Sequence, residues 1–163
     1  MRENCMITYT IRSLFAVLLL FTALSIKAEE PECNIALTPD TPPDTVVRTV
    51  IEALRSNAEG DDGIATVYCF ASPGNRQMTG PIERFTGMIK RGYGDMLNHA
   101  SSDFDAIEIR DNVAMQPVWL TTAKGNVVGY LFRMGKQSSG KYEGIWMTEA
   151  VYRIDPSRRQ QSI

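Results

Sequence analysis

Asp95, His99 and Tyr93 are the side chains of this sequence that come closest to an acid–base unit. Asp95 and His99 are four apart, so a helix over residues 95–100 would set them on one face, where a carboxylate can fix the tautomer of a histidine acting as base. Tyr93, two residues before Asp95, could polarise a carbonyl, as tyrosines and protonated acids do in hydrophobic isomerase pockets. The setting weighs against that chemistry. Asn98-His99-Ala100-Ser101-Ser102 reads as a polar, exposed loop, where a histidine needs no partner. Asp103 and Asp105 flank Phe104 and alternate outward as on a solvated strand face, and Arg110-Asp111-Asn112 reads as a polar turn.

Other chemistries find less support. There is no serine-nucleophile motif and no glycine-rich phosphate loop, and Gly80, Gly87, Gly92 and Gly94 do not follow a strand in dinucleotide-binding order. Cys33, Cys69 and the single histidine have no metal-ligand spacing, so neither metal nor cofactor is expected. Binding is the better class. Trp119, Tyr130, Phe132, Trp146 and Tyr152 supply aromatic surface that serves as core, as a pocket lining or as a homodimer interface through the sheet. Tyr93, Trp119, Tyr130 and Trp146 are the expected contacts to a small apolar ligand. The leading expectation is non-catalytic binding of such a ligand or of a protein partner. The alternative is an isomerase- or dehydratase-like enzyme using Asp95, His99 or Tyr93.

The N-terminus supplies an address. Arg2 and Arg12 precede an apolar run from Leu14 to Leu24, and Ala28 closes the segment before Glu29, the pattern of a signal peptide over residues 1–28. The run is short for a membrane span, so export to the periplasm or beyond, with only transient membrane contact, is expected. Ile26 and Lys27 are unusual beside a cleavage site, and an uncleaved anchor is the rival reading. Removing 28 of the 163 residues leaves 135, enough for one domain with a real core. It also leaves 14 basic and 18 acidic residues, about −4 overall, which argues against nucleic acid as a partner. Cys33 and Cys69 would then be an even pair in an oxidising compartment, joined in a disulfide or, for Cys69, buried as a small hydrophobe.

Periodicity sets out the elements. Residues 29–43 read as an extended arm, and Thr41-Pro42-Pro43-Asp44 as a helix start capped by Thr41 or Asp44. Val46, Val47, Val50, Ile51 and Leu54 share one face of a helix over 44–57. A second helix, capped by Asp61 or Asp62, runs to Phe70. Ser72-Pro73-Gly74 reads as a turn and Arg76 to Thr79 as a polar connector. A third helix opens at Gly80-Pro81 and turns Ile82, Phe85, Met88 and Ile89 inward, and Gly92 and Gly94 leave Tyr93 between two hinges. The period then falls to 2. Strands are expected over 104–110, over 113–122 with an edge or bulge at Pro117, over 127–134 and over 142–154. In the last, Tyr142, Trp146, Ala150 and Tyr152 should face one way and Ile145, Met147 and Val151 the other. The whole is an α+β domain over 44–155, three helices on a strongly curved antiparallel sheet with a pocket at one end, followed by a polar tail over 156–163 in which Arg158 and Arg159 are solvated.

That arrangement resembles the NTF2-like, or cystatin-like, cone. The run Phe70-Ala71-Ser72-Pro73, then Phe85, Met88-Ile89 and Gly92-Tyr93, with Gly144-Ile145-Trp146 later, resembles the domain-of-unknown-function family DUF4864 over residues 44 to 154. The resemblance implies an NTF2-like fold behind an export signal and carries no catalytic residues, because the family has no established activity. Where the family often follows Gly-Tyr with a proline-bearing loop, this chain has Gly94-Asp95.

Overall fold

The computed structural model describes Cys33 and residues 37–161; the expected signal peptide lies outside the described residues. The first helix, α1 (Pro43–Arg55), begins on a proline whose fixed φ suits the first turn, and neither Thr41 nor Asp44 caps it. Its stripe of Val46, Val47, Val50, Ile51 and Leu54 is buried. The second helix, α2 (Asp62–Phe70), is capped from behind. Asn57 Oδ1 accepts from the Ile64 N–H at 3.2 Å, while Asp61 takes a left-handed φ of 61° and pairs with Lys90. Gly63 lets α2 close on α1, since a Cβ there would stand 2.1 Å from the Ala53 carbonyl oxygen.

The expected turn and polar connector is instead a helix, α3 (Pro73–Thr79). Ser72 is its cap, with Oγ accepting from the Asn75 N–H at 3.1 Å, and Pro73 occupies the first turn. No residue of α3 is buried. Polar bonds dock it: Arg76 donates to the carbonyls of Cys69 and Ala71 at the end of α2, and Asn75 Nδ2 donates to the Thr148 carbonyl. The fourth helix, α4 (Ile82–Gly92), buries Phe85 and Ile89.

The sheet is antiparallel. Strands β1 (Ser101–Phe104) and β2 (Glu108–Arg110) share one edge, both pairing with β3 (Val113–Thr121), which is followed by β4 (Val127–Lys136) and β5 (Trp146–Ile154). Pro117 lies opposite the break between β1 and β2, where its carbonyl accepts from the Asp105 N–H. An N–H is not needed there, so the proline sits inside β3 without costing a ladder bond. One face of the sheet, with Ala114, Val118, Leu120, Tyr130, Phe132 and Met134, forms the core with α1, α2 and α4.

There are four helices rather than three, and the sheet is neither closed nor strongly curled, so it is not an NTF2-like cone. Its edges, β1/β2 and β5, do not pair with each other, and repeated bulges or kinks that would roll it up are absent from the described strands. The single register shift puts Glu149 as an extra residue opposite the Arg133/Met134 step. A one-residue insertion reverses the alternation. Trp146 and Thr148 therefore share a face with Val151, whereas Ala150 and Tyr152 join Met147 on the other, unlike the faces predicted for this strand. The expected strand start at Tyr142 is a 3₁₀ turn over Gly140–Tyr142.

Candidate functional site

A cavity of about 190 Å³ lies between the helices and the outer edge of β5. From α1 come Val50 and Leu54, from α2 Val67, and from α4 Phe85, Met88 and Ile89, which are the inward residues of each amphipathic stripe. Met96 and Phe132 add to the apolar wall. The polar side is built by α3 and β5, through Asn75, Thr79, Thr148 and the bulge at Glu149. Met78 on α3 also lines the cavity and is 82 % exposed, so α3 forms its outer rim.

The cavity wall includes Tyr93. Its hydroxyl donates to the Val151 carbonyl at 3.0 Å, and its ring lies 6.1 Å from that of Tyr130. This bond and ring contact set its position, not a hinge: neither Gly92 nor Gly94 takes a positive φ. Tyr130 is fully buried in the core, where its hydroxyl accepts from Arg153 at 3.2 Å. Burial holds its phenol above the ordinary range, with Arg153 opposing the shift. Trp146 packs in the core and Trp119 on the opposite sheet face. Neither reaches the cavity, so of the four expected ligand contacts only Tyr93 lines it.

Asp95 and His99 are not brought together. The 3₁₀ turn Gly94–Met96 ends in extended Leu97, so the helix that would align them does not form. Asp95 pairs with Arg153, a bond that raises the guanidinium pKa after the larger contribution of Tyr130. His99 is buried, at 3 % exposure, and not in an exposed loop. The Asn98 N–H bonds to the Leu54 carbonyl and the Ala100 N–H to that of Thr121, which draws the segment against α1 and β3. His99 Nδ1 lies 2.8 Å from the Met96 carbonyl and donates to it, while Nε2 is buried with no partner among the described residues. Neither residue lines the cavity.

Trp119 has its own structural task. Its ring covers Gly129, where a Cβ would stand 2.3 Å from the ring, and its Nε1 donates to Asp105 at 2.8 Å. The tail takes part: Arg159 lies over the ring and pairs with Asp103 at 3.2 Å, so this arginine is not simply solvated. At the other end Cys33 and Cys69 are joined in a disulfide that ties the arm to the end of α2. Among the described residues there is no cluster that could hold a metal ion, and no helix is long and apolar enough to cross a membrane.

The family profile for a domain of unknown function, DUF4864, matches residues 40–159, from just before α1 to the turn that carries Arg159. The chain belongs to the DUF4864 family. No curated protein matches the sequence. The residues that reading by periodicity missed are those of α3. Ser72-Pro73 followed by Asn75 is a helix-start signature as well as a stop, and it was the available signal for the cavity's polar rim.

Proposed function

We propose that this DUF4864 domain binds a small apolar molecule in the cavity between its helices and β5, without catalysing a reaction on it. The carrying observation is the cavity itself, walled by inward apolar side chains of three helices. It is somewhat larger than the roughly 150 Å³ apolar cavity that stays dry and takes up benzene. Three methionines, Met78, Met88 and Met96, line it, and thioether chains re-pack around ligands of differing shape at little cost. Of the acid–base candidates, Asp95 and His99 lie outside it, and Tyr93, which lines it, has its hydroxyl bonded to the Val151 carbonyl.

The test is a titration with toluene, followed by methionine methyl resonances. Met78, Met88 and Met96 should shift while Met115, on the opposite sheet face, does not. Val67→Phe, which fills the cavity from α2, should abolish the shifts in a folded protein. Shifts spread over all methionines, or unchanged in the filled variant, would refute the site. We further propose that the domain works after export as residues 29–163, a reading supported by the disulfide, which suits an oxidising compartment. Mass spectrometry of the native protein should give an N-terminus at or near Glu29. Full-length chain in the cytosol would overturn it, and full-length chain in the membrane would favour the anchor.

A further inference from the structure

The polar rim of the cavity has an uneven supply of hydrogen-bonding groups. Thr79 Oγ1 donates its proton to the Asn75 carbonyl at 2.9 Å, and the Tyr93 hydroxyl donates to the Val151 carbonyl at 3.0 Å. Thr148 Oγ1 directs its proton to the Met134 sulfur at 3.7 Å, and Asn75 Nδ2 donates to the Thr148 carbonyl at 3.1 Å. Each hydroxyl has one proton: those of Thr79 and Tyr93 go to carbonyls, that of Thr148 goes to a weak thioether acceptor, and the lone pairs remain. Asn75 Oδ1 accepts no bond among the described residues. Among the described lining residues, one N–H of Asn75 is the only side-chain donor not already bonded, against four acceptor atoms.

Charge sharpens the preference. Among the described residues, no lysine, arginine or histidine lines the cavity. Its one acidic residue, Glu149, accepts from Gln137 Nε2 at 3.0 Å, and its carboxylate lies against Gly135, on the face turned from the helices. An anionic head would meet lone pairs and no cation. An ammonium head would be buried without a counter-ion inside the cavity, at a cost no neutral acceptor repays. We propose that the ligand is a neutral hydroxyl compound, a small phenol or alcohol whose O–H points at the rim of α3 and β5 while its apolar body fills the space between α1, α2 and α4. This inference rests on the cavity being a binding site and adds the class of the head group. The volume limits the body to roughly one ring and a few further atoms.

Three one-ring probes that differ in head group test it on the full chain: p-cresol, toluene and benzoate, titrated against the same methionine signals. p-Cresol should bind about five-fold more tightly than toluene, the ratio given by one net hydrogen bond of about 1 kcal/mol, and benzoate should not bind. Thr79→Val and Thr148→Val, which remove one acceptor each with little change in shape, should narrow the p-cresol advantage in at least one case and leave toluene unaffected. Toluene binding as tightly as p-cresol, benzoate binding comparably, or an advantage unchanged in both variants overturns the head-group assignment while the cavity site stands. Failure of all three probes overturns the site and this inference with it.

Discussion

Replacing Cys33 and Cys69 by alanine opens the bond between the arm and the end of α2. The two residues are 36 apart in sequence, and their Cα atoms lie 5.4 Å from each other in the fold. In the chain-entropy treatment, a closed loop of that length removes about 4 kcal/mol of freedom from the unfolded chain at 25 °C. Alanine is the better replacement at Cys69, which is 5 % exposed, because serine would add a buried hydroxyl. Leu37, on the same arm, packs against the core, and the variant leaves that residue in place. With a urea m-value of about 2 kcal/mol per molar, the unfolding midpoint should fall by about 2 M. A reductant should lower the parent protein by the same amount and leave the double variant unchanged. A fall of less than about 0.5 M, or a reductant effect that persists in the double variant, would refute the assignment of this stability to the Cys33–Cys69 loop.

Four further outcomes are expected. Tyr93→Phe keeps the ring but loses the bond to the Val151 carbonyl, and should cost about 0.5–1.5 kcal/mol in urea unfolding; no loss would mean the hydroxyl does not hold β5. Gly129→Ala drives a Cβ into the Trp119 ring and should cost about 1–3 kcal/mol, with a changed near-ultraviolet dichroism, and an unaltered spectrum would contradict the stacking. Gly92→Ala, at a helical position with nothing near the new Cβ, should be neutral or stabilising by up to about 1 kcal/mol in thermal unfolding. The Asp61 carboxyl is held below its ordinary pKa of 3.8, chiefly by its hydrogen bond to Lys90. Its contribution is therefore full above that value and is lost as pH falls through the lower folded pKa, so Asp61→Asn should flatten the acid side of the stability profile.

The parts of this protein that depend on one element at a time could be read from the chain. Val46, Val47, Val50, Ile51 and Leu54 must share a face of any helix they form, and Val128, Tyr130, Phe132 and Met134 must share a face of any strand. The core uses both sets, and the inward residues of α1 and α4 are also the apolar wall of the cavity. Its place between Gly92 and Gly94 likewise marked Tyr93 as a residue to watch, though the hinge argument for its position did not hold.

What the chain left open was decided by contacts between elements. Ser72-Pro73 can stop one helix or start another, and the acceptor carbonyls of Cys69, Ala71 and Thr148 tip the balance towards α3. Glu149 carries no sign of being a bulge, yet that one residue reverses the faces of Ala150 and Tyr152 because pleat alternation is counted residue by residue along the partner strand. Asn98 to Ala100 look solvated, but their N–H groups meet carbonyls of α1 and β3, and His99 is carried into the interior with them. Curvature and the cavity are of the same kind. Periodicity states which side of an element is apolar, whereas how far apart two apolar sides come to rest is set by every side chain and backbone bond between them.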